Sequence, residues 1–331
     1  MTAAPLAVTL GDPAGVGPEI VAKTWSALKG AGPAFVAIGD RDTLAAAMPG
    51  ATVERVANLA EGAAVFPKAL PVLDPPSTRV GATAAEAKAS AITGWIETAV
   101  ALALAGEASG VVTAPISKAS LYAGGFKFPG HTEFLADLTA HAPMAGARGP
   151  VMMLTARDLR VALVTIHTPL RDVADAVTTE RVIHTARVTA EALRRDFGIE
   201  RPRLALAGLN PHAGESGTIG REEVEVLAPA VAALRAEGID ITDPKPADTL
   251  FHDEARRAYD AAVCLYHDQA LIPLKTLDFW SGVNVTLGLP IVRTSPDHGT
   301  GFDIAGRGIA RPDSMIAAVR LAGQIASHRS V

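Results

Sequence analysis

The chain has 331 residues, 49% hydrophobic and 20% charged, which suits two domains or one large α/β unit with an insertion and excludes a disordered chain. Lys and Arg number 30 against 35 Asp and Glu, a formal net charge of −5; with no basic tract, this argues against nucleic acid or an anionic membrane as a partner. The single cysteine, Cys264, excludes a disulfide framework and a cysteine-based zinc site. The opening MTAAPLAVTLGDPAG has no basic stretch before a long apolar run, and no uninterrupted apolar window reaches about 18 residues. A cytoplasmic chain with neither signal peptide nor membrane span is expected.

A short apolar run, a loop and a helical pattern recur along the chain. Leu6–Leu10 reads as a strand, Gly11–Gly17 as a loop and Pro18–Leu28 as a helix, with Pro18 in its first turn and Gly30 at its stop. Phe35–Ile38 reads as a buried strand and Pro71–Pro76 as a turn-rich segment. Thr83–Ala105 is expected to be one long helix, because Ile92, Trp95, Ile96, Ala99, Val100, Ala103 and Leu104 recur at three and four residues. Val111–Thr113 follows as a strand. Val151–Thr155 and Arg160–Ile166, on either side of the turn Ala156–Leu159, read as a hairpin. Thr179–Phe197 reads as a helix ended by Gly198, Leu204–Gly208 as a strand and Glu222–Ala236 as a helix. Ala261–Tyr266 reads as a strand and Pro312–His328 as the closing helix. Such alternation argues for an α/β fold with mainly parallel strands covered on both faces. The hairpin and the Gly/Pro-rich stretch Gly124–Gly149 interrupt the rhythm and mark a second lobe.

Three histidines share one setting. VALVTIH ends at His167, LALAGLNPH at His212 and AAVCLYH at His267. Each lies at, or a few residues past, the C-terminal end of an apolar strand, where ligands bind in open α/β sheets. Neutral imidazoles arriving from separate strands suit zinc, cobalt, nickel or iron, and three with an open position make a catalytic site. One such histidine alone is usually a hydrogen-bonded loop residue; the repetition raises the ligand reading. Asp268 directly follows His267, and Asp248 lies in Pro246-Ala247-Asp248-Thr249-Leu250. Either carboxylate can orient a ligand imidazole, bind substrate or simply cap a turn.

Candidate anion-binding groups are spread along the chain. His131 and Thr132 open the helical run Glu133–Leu138, whose N-terminus suits an anion, although Thr132 can equally be an N-cap. Lys275 follows an apolar segment, and Asn284 and Arg293 bracket Val285–Pro290. Together these would suit a phosphate and a carboxylate, whereas individually each is more often a solvated surface group. The loop Gly11–Glu19 carries glycines at 11, 15 and 17, so it is neither a Rossmann fingerprint nor a P-loop.

These segments coincide with a known pattern. TLGDPAGVGPEI at 9–20, FPGHTEFLADLT at 128–139, LNPHAGESG at 209–217, PADTLF at 246–251, YHDQALIPLKTLDF at 266–279 and GVNVTLGLPIVRTSPDHGTGFDIAG at 282–306 strongly resemble the 4-hydroxythreonine-4-phosphate dehydrogenase family of pyridoxal 5′-phosphate biosynthesis. The resemblance implies an isocitrate/isopropylmalate dehydrogenase-like fold of two α/β lobes with mainly parallel sheets and a cleft. The expected lobes are a cofactor-side lobe of about 1–127 plus 284–331 and a metal, substrate and dimerisation lobe of about 128–283. It further implies NAD or NADP, one divalent metal (zinc, magnesium or cobalt), and a homodimer with active sites at the subunit interface. The family's metal histidines match His167, His212 and His267, and its substrate contacts match His131, Thr132, Lys275, Asn284 and Arg293. His298, Gly299, Thr300 and Asp303, with Gly11 and Asp12, match the cofactor loops of the wider superfamily. Where isopropylmalate dehydrogenases commonly carry asparagine after the second Ile-Ala pair, this chain has Arg311.

The implied reaction oxidises a 4-phosphorylated hydroxythreonine at its 3-hydroxyl, followed by decarboxylation to 3-amino-2-oxopropyl phosphate. Asp248, Asp268 and Lys275 are the candidate proton acceptors. A paralogous dehydrogenase of 4-phosphorylated threonate or erythronate is the near alternative. A metal-dependent phosphatase and a non-catalytic phosphometabolite binder are the distant ones.

Overall fold

The computed structural model describes residues 4–76, 83–128 and 130–330. Pro129 of the FPGHTEFLADLT segment and the first three residues of the N-terminal stretch lie outside them. The chain divides into two compact units, Met1–Pro143 with Leu289–Val331, and Met144–Gly288. Helix His131–Leu138 therefore belongs with the N-terminal strands, where the sequence reading begins the second lobe at 128, and Asn284 belongs with the central segment.

The first unit contains β1 (Leu6–Thr9), β2 (Phe35–Ile38), β3 (Val53–Arg55), β4 (Leu70–Leu73), β5 (Val111–Thr113) and, numbered in chain order, β12 (Arg293–Pro296). They pair in the order β3-β4-β2-β1-β5-β12, and every pairing is parallel. β1, β2 and β5 are buried along their whole length, as the uninterrupted apolar runs require. Helix Ala84–Leu104 begins where Thr83 and Glu86 form a reciprocal capping box, and it buries Ile92, Trp95, Ile96, Ala99 and Val100. Only the second half of Pro71–Pro76, expected to be turn-rich, is irregular. β4 runs through Pro71, with Leu70 and Val72 fully buried between β3 and β2. Flanking strands on both sides override the local turn signal there.

The central unit holds β6 (Val151–Ala156), β7 (Leu159–Leu163), β8 (Arg203–Leu206), β9 (Asp240–Ile241), β10 (Ala261–Cys264) and β11 (Val283–Leu287). β11, β6 and β7 run antiparallel to one another; β7, β10, β8 and β9 run parallel. The expected hairpin is β6–β7. Side chains alternate strictly between two cores. Leu204, Leu206, Ala261, Val263 and Leu265 pack with Val182, Ala186 and Leu193 of helix Thr179–Phe197. Ala205, Ala207, Ala262 and Cys264 pack with Ala270, Leu271 and Leu274 of helix His267–Leu277. The α/β class with mainly parallel strands is as the sequence reads. No helix among the described residues is long and apolar enough to cross a membrane.

Candidate active site

Three adjacent parallel strands of the central unit carry the three histidines. β10 lies between β7 and β8, with Leu163 opposite Cys264 and Leu206 opposite Val263. The pairing continues past the strand ends, because Val164 donates to the Cys264 carbonyl at 2.9 Å and Ala207 to the Val263 carbonyl at 3.0 Å. His167, His267 and His212 then leave one edge on neighbouring chains, as their strand-end positions imply.

The structure brings two of them together. The His167 and His267 rings lie 6.0 Å apart, centroid to centroid, at 39°. His267 is the first residue of helix His267–Leu277, and its Nδ1 is 2.7 Å from Oδ1 of Asp268. That contact fixes the ring and leaves Nε2 for a ligand role, the usual arrangement of a metal-ligating imidazole. His212 sits on a different kind of element. His212, Ala213, Gly214, Glu215 and Ser216 all have positive φ, from 44° to 73°, a run of left-handed backbone within Pro211–Gly217. Four of the five are not glycine, and each left-handed non-glycine residue costs roughly 1–2 kcal/mol. Strain of this kind gathers at functional loops. Among the described residues no group of three His, Cys, Asp or Glu side chains is gathered tightly enough to hold a metal ion. The donor chemistry thus fits a divalent cation through the His167–His267 pair, and the expected three-histidine cluster is not preassembled.

The other candidates of this unit divide by burial. Asp248 is exposed on a 3₁₀ turn, Ala247–Thr249, and Asp268 is exposed beside His267. Lys275 lies on the last turn of helix His267–Leu277, with its ammonium 5.3 Å from the Phe279 ring centroid. The Oδ1 of Asn284, on β11, is buried with no hydrogen-bond partner among the described residues, an acceptor that a ligand donor would satisfy.

In the first unit, His131 and Arg293 are neighbours. Gly130, with extended backbone, is the N-cap of helix His131–Leu138, so Thr132 is the second helical residue and not the cap. His131 Nε2 is buried with no hydrogen-bond partner among the described residues. Burial, and then the charge of Arg293, hold the His131 imidazole well below its ordinary value of 6.5. Arg293 is buried, donates from Nη2 to Thr113 Oγ1 at 2.7 Å, and is lowered by burial to about 10, so it remains a cation at neutral pH. A neutral ring and a desolvated guanidinium beside a helix start form an anion-receptive pair.

The sign of the His131 effect on stability is fixed. The folded-state value lies below the unfolded one, so the unfolded chain takes up the proton first as pH falls. The stabilising contribution is complete above about pH 6.5 and is lost as pH falls towards the folded-state value. His184, also lowered by burial, acts in the same direction. His131→Asn is expected to flatten, without abolishing, the fall in Tm between pH 7 and pH 5. Equal slopes for the two proteins would remove His131 from the acid response.

The matches to cofactor loops take varied places. Gly11 is buried, and the fully buried Asp12 is held by Lys88 Nζ at 2.6 Å and by the Ala14 N–H at 3.0 Å, which makes it an internal ion pair. The Thr300 carbonyl accepts from Val16 N–H at 2.8 Å, joining the two loops. His298 and Asp303 are exposed, as is Gly299. A cavity of about 660 Å³, of a size that suits a cofactor, opens beside these loops and is lined by Ala14, Gly15 and Glu19 and by Ala305–Gly308. Thr43 also lines it. None of the six matched residues does, and Thr43, on the short helix Arg41–Ala47, and Arg307, which do, carry no motif that singles them out.

Comparison with known proteins gives a family for the chain. The family model described as "Pyridoxal phosphate biosynthetic protein PdxA" matches residues 32–322. A protein of Caulobacter vibrioides named 4-hydroxythreonine-4-phosphate dehydrogenase is 64% identical over 333 residues, covering 100% of both chains. One of the same name from Maricaulis maris is 55% identical over 98% of both. The crystal structure of 4-hydroxythreonine-4-phosphate dehydrogenase from Klebsiella pneumoniae is 42% identical, covers 98% of both chains and superposes with a TM-score of 0.87.

Proposed function

The chain belongs to the pyridoxal phosphate biosynthetic PdxA family, an oxidoreductase family, and on that premise we propose that it oxidises the 3-hydroxyl of a 4-phosphorylated hydroxythreonine with NAD or NADP. The identity of 64% across the full length of a relative bearing that activity as its name carries the reading. The His167–His267 pair with its Asp268 contact supports it.

His167 and His267, joined by His212, would hold one divalent cation, with zinc, magnesium and cobalt the candidates. When bound, such a cation would supply Lewis acidity at the 3-hydroxyl, and a nicotinamide would supply the hydride acceptor that the protein's own side chains lack. Asp268 keeps the His267 ring in its ligating tautomer, and Asp248, Asp268 or Lys275 accepts the hydroxyl proton. Arg293, with His131 and Thr132 at a helix start, binds the phosphate, and Lys275 and Asn284 bind further polar groups of the substrate. The oxidised product carries its ketone β to the carboxylate and so loses CO2, leaving 3-amino-2-oxopropyl phosphate. The cavity at Ala14–Glu19 and Ala305–Gly308 is the candidate cofactor site.

The enzyme works as a homodimer with its active sites at the subunit interface. Ile272, Phe279 and Trp280 are 63%, 61% and 50% exposed at one end of the central unit, an apolar surface that a second copy would cover. The test is a steady-state assay at 340 nm with 4-phosphohydroxythreonine, 4-phosphothreonate and 4-phosphoerythronate, each with NAD and NADP, across a metal series. Turnover of the amino acid at least tenfold faster is expected. Preference for a sugar acid, or phosphate release without absorbance change, would overturn the reading.

A further inference from the structure

The cavity beside the Gly11–Glu19 loop lies wholly within the first unit and takes one part of its wall from Ala14, Gly15, Pro18 and Glu19 and another from Ala305–Gly308. The second part belongs to a stretch that packs little. Phe302 and Ile309 are 49% and 57% exposed. Among the described residues the hydrogen bonds of Gly301–Arg307 are local: Ile304 N–H donates to the Gly301 carbonyl at 3.1 Å, Arg307 N–H to the Ile304 carbonyl at 3.2 Å and Arg307 Nη1 to the Asp303 carbonyl at 3.4 Å. A segment with few buried contacts is easily displaced, so the position of this wall is set by what holds its two ends.

One end is tied through backbone. Beside the Val16 to Thr300 bond, Gly15 approaches so closely that a Cβ there would stand 2.7 Å from the Thr300 carbonyl oxygen. The other end is tied by side chains of helix Gly17–Leu28. Lys23 Nζ donates to the Gly308 and Ala310 carbonyls at 2.9 and 2.7 Å and to Oε1 of Glu19, one turn earlier, at 2.7 Å. These bonds use all the donors of the ammonium. The same Oε1 accepts from Ala310 N–H at 2.9 Å. Glu19 is 4% exposed. A carboxylate so buried is costly unless it is paired and hydrogen-bonded, and Lys23 and the Ala310 N–H meet both needs. The result is a clamp that joins the helix bearing one part of the cavity wall to the end of the segment bearing the other.

We propose that Glu19 and Lys23 are positioning residues for the nicotinamide cofactor, holding Gly308–Ala310 to helix Gly17–Leu28 so that the cavity keeps the shape that receives a dinucleotide. This rests on the reading of that cavity as the cofactor site. A wall fixed before the ligand arrives spares binding the cost of ordering it. Loosening the clamp therefore weakens the dinucleotide while leaving the groups assigned to the substrate in place.

The test uses the full chain with NADH and NADPH as probes. Affinity is read from the change in nicotinamide fluorescence on binding, and the mobility of residues 300–310 from hydrogen exchange without cofactor. Lys23→Met, which keeps the aliphatic stem and donates no hydrogen bond, and Glu19→Ala are each expected to weaken both dinucleotides about tenfold and to speed exchange in that segment. Glu19→Gln, whose amide oxygen can still accept from Ala310 N–H and Lys23, is expected to stay within about threefold of wild type. Ala46→Trp, from the exposed side of helix Arg41–Ala47 that lines the cavity, is expected to fill it and abolish binding. Unchanged affinity in folded Lys23→Met overturns the inference, even if Glu19→Ala does not fold. Faster exchange with unchanged affinity makes the clamp purely structural and also overturns it, as does a loss in Glu19→Gln as large as in Glu19→Ala, which assigns the effect to charge. Binding that Ala46→Trp abolishes but the clamp variants leave intact removes this inference alone. Binding that survives Ala46→Trp removes the cofactor reading of the cavity together with it.

Discussion

His267→Ala is expected to lower divalent-cation affinity on the order of 100-fold and to abolish metal-dependent turnover, while the cation-free protein unfolds at nearly its normal temperature. The magnitude follows from sharing the roughly 10–16 kcal/mol of a four-ligand zinc site among its ligands, about 3 kcal/mol each. The fold is spared because the His267 side chain is 39% exposed at a helix start and fills no core; such substitutions usually stay within about 0.5 kcal/mol. Asp268→Asn separates ligation from orientation. The asparagine oxygen can still accept from Nδ1–H but carries no charge, so a smaller loss, about tenfold, is expected. Isothermal titration of both variants with Zn²⁺, beside thermal unfolding without metal, checks the pair. Unchanged Zn²⁺ affinity in His267→Ala would sink the strand-end argument.

The strand-end placement of the histidines is legible in sequence because its parts are local. An apolar run names a parallel strand, and a histidine just past it is placed at the ligand-binding end whatever the neighbouring chains do. Helix Thr179–Phe197 was equally open to reading: Thr178 caps its start with a hydrogen bond from Arg181 N–H, and Gly198 closes it with φ 67°. Helix His267–Leu277 was not read, since Pro273 lies inside it and removes one backbone donor. The left-handed run at His212 leaves no trace in residue type, because four of its five residues are not glycine and the segment before it is anchored by Glu223, eleven positions after His212, which accepts from the N–H groups of Leu209 and Asn210. Asp12 shows a related dependence. Its motif matches a cofactor loop, and the side chain it pairs with, Lys88, comes from a distant helix that the motif does not contain. Where a residue's role depends on a partner far along the chain, sequence pattern alone names the residue and not the role.

Arg293→Ala is expected to raise KM for the phosphorylated substrate by about 2–5 kcal/mol in binding terms, roughly 30-fold to several-thousand-fold, with a smaller effect on kcat. Arg293 is 3% exposed and its charge acts on the neutral His131 imidazole, so the guanidinium meets little competing water. A desolvated cation is costly to the empty protein and is offset when an anion arrives; its removal should therefore weaken binding without unfolding the chain. Arg293→Lys keeps the charge but not the planar two-pronged donor, and an intermediate KM is expected. Inorganic phosphate should compete with substrate in the wild type and lose that effect in Arg293→Ala. The substitution also carries a signature in the neighbouring ring. Arg293 is the second cause, after burial, of the low His131 value. Without it the folded-state value moves back towards 6.5, and the pH window over which His131 contributes stability narrows from its acid side. Raised KM together with a flatter acid branch of the Tm profile would place both side chains at one anion site. An unchanged KM would take Arg293 out of it.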